Sequence, residues 1–234
     1  VAVIILLFVP NIRKIITPLG PNAQIKECIE ESISPLIEEE IINAGLEEDS
    51  LYYMHQGERY NYLCYTGEFY EKCIMQQPML MQTIEKQIKQ KSEERIRSCI
   101  LNVKNDFKKK GYLINQEGDS KINLRMVPEN ILVSVNSQLT LQKQDSEEVI
   151  QINIPSSEIY TESYDLIMIS SSILNWEARY GDAPTDVYMG NYPDIKIEKY
   201  RQSEGTTLYI ITHRKSEERI KFAARSLAMP AGFG

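Results

Sequence analysis

Four cysteines, Cys28, Cys64, Cys73 and Cys99, carry the most constrained chemistry in this 234-residue sequence. None stands in a CxxC pair, so thiolate zinc sites and thioredoxin-like redox chemistry do not fit. The two histidines, His55 and His213, cannot build a histidine-rich metal site. What four cysteines can do is pair. In an oxidising compartment they make two disulfides with three possible connectivities; in a reducing one they would be four buried thiols. We favour Cys64–Cys73, a short local loop, and Cys28–Cys99, a link between two helices. Cys28 and Cys99 each fall on the apolar stripe of a predicted helix, and two such stripes packed together bring the sulfurs close.

The remaining reactive groups are less organised. No P-loop, G-x-G-x-x-G, H-E-x-x-H, kinase set or nucleophile elbow is present. The 33 acidic residues leave a paired-carboxylate glycosidase open, but none stands in a context that marks it. We assign no catalytic, cofactor-binding or metal-binding residue and expect no enzyme. Glu38–Glu40 and Glu47–Asp49 read as solvated acid, since the alternating calcium loop is missing. A net charge of −7 argues against nucleic acid, which needs a basic face. Lys108–Lys110 suits a helix end, where cations complement the dipole. There is no N-x-S/T sequon, which counts against a heavily N-glycosylated surface.

Five tyrosines crowd residues 51–65 (LYYMHQGERYNYLCY). They read as a hairpin turning at Gln56–Gly57. Tyr52, Tyr53, Tyr60 and Tyr62 form a possible ligand surface for a sugar or a partner; strand propensity and cross-strand packing are the plainer explanation.

The elements that position these residues follow from periodicity. Asn22 caps a helix running to about Ala44, and Pro35 is expected to kink or split it. Pro78 opens a second helix ending near Lys110, with Gly111 as its stop. Strands are expected at 112–114, 122–127, 131–141 and 149–154, with Gly118–Asp119 as a turn. Ser156 or Ser157 caps another helix to about Tyr180, anchored by Ile159, Leu166, Ile169, Ile173 and Trp176, with Ser170–Ser172 on its surface. Short strands follow at 195–201, 208–214 and 219–224. The expected fold is α+β: an N-terminal hydrophobic helix, then long helices packed on an antiparallel sheet. Residues 1–21 form an anchor and linker, and 22–234 an extracytoplasmic domain with a helical and hairpin part (22–111) and a sheet-rich part (112–234).

The first nine residues, VAVIILLFV, are uninterrupted apolar sequence, and the chain does not start with Met. Nine helical residues rise about 14 Å, half a hydrocarbon core. The run is expected to enter a membrane with further upstream residues, or to bundle with its copies in a filament core through Val1, Ile4, Ile5, Leu6, Leu7 and Phe8. A buried first strand is the alternative.

These features resemble a group of archaeal type IV pilin-like proteins of small-genome lineages, in which a class III signal precedes one apolar helix. The matching pieces are VAVIILLFVP at 1–10, CIEES at 28–32, RIRSC at 95–99, NILVSVNSQLTL at 130–141 and KFAARSLAMPAGFG at 221–234. The signal and its processing site are not in the sequence, and the Cys64–Cys73 pair is extra. The resemblance implies an extracytoplasmic, N-terminally anchored protein at the cell surface. The expected function is a structural, pilin-like subunit of a surface filament or envelope assembly, whose partners are copies of itself and whose residues 1–10 sit in a membrane or filament core. The alternative is a monomeric anchored binding module, an adhesin or receptor, using the tyrosine-rich hairpin.

Overall fold

The computed structural model describes residues 20–45, 50–143 and 149–227. The described residues form helices α1 (Pro21–Ile42), α2 (Leu80–Lys109), α3 (Ser163–Tyr180) and α4 (Thr185–Asn191). The strands are β1 (Tyr52–His55), β2 (Glu58–Tyr65), β3 (Ile74–Met75), β4 (Tyr112–Val127), β5 (Asn130–Lys143), β6 (Val149–Asn153), β7 (Ser157–Tyr160), β8 (Ile195–Arg201), β9 (Thr206–His213) and β10 (Arg219–Arg225).

The expected architecture is corrected. The described residues begin at Gly20 and contain no N-terminal apolar helix. Val1, Ile4, Ile5, Leu6, Leu7 and Phe8 lie outside them. The strands build two sheets, ordered β1-β2-β10-β9-β8 with β3 on β2, and β4-β5-β6 with β7 on β5. The first sheet is mixed, because β2 runs parallel to β10. The helix seated on it is α3, of 18 residues. Alternation of apolar and polar residues marks a strand but carries no information on which strand it joins. The strands of 112–154 and 195–224 read as a single antiparallel sheet for that reason.

Among the described residues the chain divides into two compact units, each gathered from separate segments: 20–32 with Ser92–Asn123 and Val133–Ser157, and Ile33–Lys91 with Leu124–Leu132 and 158–227. The expected division at residue 111 follows the chain; these units do not.

The first unit has an aliphatic interior. Ile25 and Ile29 of α1, Ile96, Ile100 and Val103 of α2, and Val133, Val135, Leu139 and Leu141 of β5 are buried. The β5 residues alternate with exposed ones, the period of a strand covered on one face. Cys28 is bonded to Cys99, joining α1 to α2 with Cα atoms 6.1 Å apart. Gly118 does not turn the chain: β4 is one strand of 16 residues, with Gly118 inside it at φ 93°. A Cβ there would stand 2.8 Å from the Asn136 carbonyl oxygen, a contact that only glycine avoids.

The second unit is built on the mixed sheet. Gln56 and Gly57 both have positive φ, 51° and 84°, the backbone that a two-residue hairpin turn demands. One sheet face carries Tyr209 and Phe222, fully buried with rings stacked at 5.2 Å, and α3 covers it. Gly181, left-handed at φ 79°, ends α3.

Other expectations need correcting. Pro35 does not split its helix, which runs unbroken over Pro21–Ile42. Ser157 belongs to β7, and α3 starts at Ser163. Ser170 is buried, and the Ser170 and Ser171 hydroxyls donate to the Leu166 and Ile167 carbonyls at 2.7 and 2.8 Å, so they are not simply helix surface. Trp176 is half-exposed, not a core anchor. Glu40 is buried and paired with Lys91 rather than solvated. Glu47–Asp49 lie outside the described residues.

Candidate functional site on the tyrosine face of the mixed sheet

In a strand, alternate side chains share a face, and directly opposed residues point the same way. The register pairs Tyr53 with Tyr60, Ala223 with Tyr62, Ala223 with Leu208, and Leu208 with Tyr200. These residues occupy the face opposite α3. A register shift between Ala223 and Ala224 opposes Arg225 to Tyr65, which returns Tyr65 to the same face as Tyr62 three residues earlier. The Tyr62 and Tyr65 rings meet edge-on at 4.9 Å.

Of the four tyrosines proposed as a ligand surface, three share this face. Tyr60 and Tyr62 are buried in a cluster with Leu208 and Ala223, and Tyr53 packs against it. Burial raises the pKa of the Tyr53, Tyr60 and Tyr62 hydroxyls. Tyr62 is also tied to Thr206 by a 2.7 Å hydroxyl–hydroxyl hydrogen bond. Tyr52 points the other way, with the Arg59 guanidinium 4.3 Å from its ring centroid. Most of the hairpin's tyrosines are therefore floor, not contact surface.

The accessible part lies at the turn end. A groove of about 590 Å³ is bordered by His55, Glu58, Tyr60, Tyr200, Ile210 and Arg219. His55 and Tyr200 stack at 6.3 Å, and His55 meets Tyr60 edge-on at 6.3 Å. Tyr200 is exposed and donates its hydroxyl to Glu198 at 3.0 Å. That bond, with the negative charge behind it, raises the pKa of its hydroxyl. Lys221 donates to Glu58 at 2.9 Å while standing 5.2 Å from the Tyr60 ring centroid. The hydrogen bond and charge of Lys221 hold the Glu58 carboxyl below its ordinary range. Exposed Arg219, beside the Lys221–Glu58 pair, gives the rim its positive charge; Lys199 and Arg201, opposed to Tyr209 and Thr207, pair with Asp182 on the α3 face. Aromatic planes beside cations suit a ligand with an apolar or planar group and a negative charge.

Two other polar clusters in this unit are internally satisfied. A cavity of about 450 Å³ is lined by Ile37, Ile41, Tyr160, Thr161, Ser163 and Glu218. The Glu218 carboxylate accepts from the Thr161 hydroxyl at 2.6 Å, the Ser163 hydroxyl at 3.0 Å and the Glu162 amide at 3.1 Å. It thereby caps the start of α3 from across the unit, where the N-cap side chain makes no such bond. The Tyr160 hydroxyl donates to Glu162, and this pushes its pKa up to about 12. His213 Nδ1 lies 3.0 Å from the Ser216 hydroxyl and 3.3 Å from its amide. Both contacts are to a residue three positions on, the pattern of a locked turn.

Sequence reasoning missed Tyr200, Arg219 and Lys221. The alternation of IKIEKYR places Glu198 and Tyr200 on one face, but only the β8-β9-β10-β2 order brings that face to the hairpin.

Cys64 is bonded to Cys73, with Cα atoms 5.3 Å apart. Two disulfides fit an extracellular or otherwise oxidising environment. Among the described residues no helix is long and apolar enough to cross a membrane, and no His, Cys, Asp and Glu group is arranged to hold a metal. The chain matches no family model, no curated protein and no solved structure.

Proposed function

We propose that the protein is an extracytoplasmic binding module whose ligand enters the groove between Tyr200 and Arg219. The observation that carries this reading is the stack of half-buried His55 and exposed Tyr200 beside buried Tyr60, with Arg219 at its rim. The floor is rigid, because Tyr60 and Tyr62 are packed and Tyr62 is hydrogen-bonded. A preorganised floor leaves more of the contact energy for binding. Its task is binding rather than catalysis: the Glu218 carboxylate is saturated by hydrogen bonds to the protein, and Glu58 is held by Lys221.

An array of glycans and of peptides carrying acidic and aromatic residues, probed with the full-length protein, tests this. Hits are expected that Tyr200→Ala and Arg219→Ala each weaken at least tenfold. Hits that survive both substitutions unchanged overturn the reading.

A second reading rests on the VAVIILLFV run. In it the protein is a structural subunit of a surface filament or envelope assembly, like the archaeal type IV pilin-like proteins it resembles, self-associating through residues 1–10. Electron microscopy of native material distinguishes filaments from dispersed particles, and dispersed particles alone would remove it.

A further inference from the structure

The loop that follows β2 holds apolar side chains out in water. Phe69 is 76 %, Tyr70 74 % and Ile74 72 % exposed. Scattered surface apolar residues need no explanation, but three large ones within six positions do. Nor is this a loose loop. The Cys64–Cys73 disulfide closes it. The Thr66 amide donates to the Arg225 carbonyl at 3.0 Å, the Leu227 amide to the Glu71 carbonyl at 3.0 Å, and the Cys73 amide to the Ser226 hydroxyl at 3.3 Å. Tyr70 is held at φ 65°, a conformation that a residue with a bulky side chain adopts only when its surroundings impose it. A covalent bond, three hydrogen bonds and an unfavourable backbone all serve to display Phe69 and Tyr70. Aromatic anchors presented without freedom are what a protein interface uses.

The flanks of this knob are Glu68, Glu71 and Lys72, so its rim carries a net negative charge. The chain carries a complementary receptor in the same unit: the groove of His55, Tyr60 and Tyr200, cationic at its rim through exposed Arg219, beside the Lys221–Glu58 pair. The two features lie at opposite ends of one strand. Glu58, which begins β2, borders the groove; Tyr65, which ends it, leads into the knob. Eight residues of strand separate them by about 23 Å. A knob and a groove at opposite ends of a rigid sheet cannot satisfy each other within one molecule. They fit head to tail between molecules.

We propose that the Phe69–Tyr70 knob of one copy docks into the Tyr200–Arg219 groove of the next, giving an open, polar assembly of this chain. This rests on the groove reading above and names its occupant. Knob side chains of this size bury well under the roughly 1,200 Å² of a stable interface. Each contact is therefore weak, and assembly needs protein at tens to hundreds of micromolar, or surface confinement.

Sedimentation velocity of the full-length chain in one fixed detergent tests the proposal, since any association through residues 1–10 is common to all variants. The intact chain is expected to grow with concentration. Phe69→Ser with Tyr70→Ser removes the knob, and Tyr200→Ser with Arg219→Ser removes the groove; each is expected to abolish growth with unchanged thermal unfolding. Mixed one to one, the two variants have one intact knob facing one intact groove and are expected to form dimers that grow no further. Glu71→Arg and Arg219→Glu are each expected to weaken assembly about tenfold and together to restore it. Growth unaffected by either pair, absence of growth in the intact chain, or a mixture that stays monomeric overturns the proposal. If the groove variants lose array ligands while the knob variants change nothing, the groove reading stands and the occupant falls. If neither pair affects any binding, both fall.

Discussion

The two units solve the same problem with different materials. The first fills its interior with Ile, Val and Leu from α1, α2 and β5 and joins its helices by a disulfide between residues 71 apart in sequence. The second packs tyrosine and phenylalanine on both faces of a mixed sheet, and its disulfide spans nine positions. Chain entropy separates the two bonds. Closing the long loop removes more freedom from the unfolded chain than closing the short one, though the dependence on length is only logarithmic. Both bonds therefore stabilise, the long one by more, and the short one also shapes the loop that carries Phe69 and Tyr70. The difference teaches that covalent chemistry in this protein serves stability in one unit and both stability and display in the other.

The largest test of that contrast is the pair of disulfide deletions. Cys28→Ser with Cys99→Ser is expected to cost about 4 kcal/mol, and Cys64→Ser with Cys73→Ser about 3 kcal/mol, on loop-length grounds. Trp176, the one tryptophan of the chain, belongs to the second unit, so its fluorescence reports that unit while far-ultraviolet circular dichroism reports both. In urea, the first deletion should move the dichroism transition ahead of the fluorescence transition. Coincident transitions would show that the units unfold as one.

Next come the glycines. Gly45 has φ 64°, and a Cβ on it would stand 2.7 Å from Ile84 Cγ1 and 2.8 Å from Gln87 Oε1. Gly45→Ala is expected to cost about 2–4 kcal/mol, combining backbone strain with overpacking. In the first unit Gly118→Ala meets backbone rather than a side chain, which cannot swing away, so its cost should be at least as large. Urea midpoints compare them directly.

A buried acid sharpens the contrast further. Glu177 on α3 accepts the Tyr209 hydroxyl proton beneath the sheet. Burial first of all, then Asp182, raises its pKa above 4.5, although the Tyr209 hydrogen bond and the charges of Lys199 and Arg201 oppose this. A carboxyl raised in the folded state binds more protons than the unfolded chain. Its stability is thus whole below the ordinary glutamate range and is lost as pH rises through the raised value. Glu177→Gln keeps a partner for Tyr209 and removes that loss. Thermal unfolding from pH 4 to 8 should show the variant gaining on the native protein as pH rises; parallel curves would sink the idea.

Smallest in stability is the knob. Phe69→Ser and Tyr70→Ser remove exposed side chains and should change stability by no more than about 0.5 kcal/mol, measured in urea, while abolishing association. A larger loss would mean these side chains support the loop rather than a partner.

Much of the local architecture was legible. The stripe of Ile25, Ile29, Ile33, Leu36, Ile37 and Ile41 is the buried face of α1, and the Gln56–Gly57 turn follows from a glycine set between two tyrosine-rich strands. The Cys28–Cys99 link was readable because each cysteine falls on an apolar stripe. Less local features were not. Gly118 reads as a turn because glycine breaks strands, yet here it lets β4 run past Asn136. The serines at 170–172 read as surface because hydroxyls are polar, yet Ser170 bonds back to its own helix. The candidate site is half visible: Tyr53, Tyr60 and Tyr62 and their cross-strand packing are legible in the hairpin, but Tyr200 and Arg219 come from strands more than a hundred residues away.

The sequence by itself determined most of the helices and strands, the buried stripe of α1 and which cysteines can meet. Those properties depend on side-chain periods of 3.6 and 2 and on backbone preferences of single residues. Only the tertiary structure decided that the strands divide between two sheets, that β2 lies parallel to β10, and that a groove and a knob stand at opposite ends of one strand. Strand pairing is made by backbone groups common to all residues, so the partner is chosen by the packing of the whole unit and not by any local stretch of sequence.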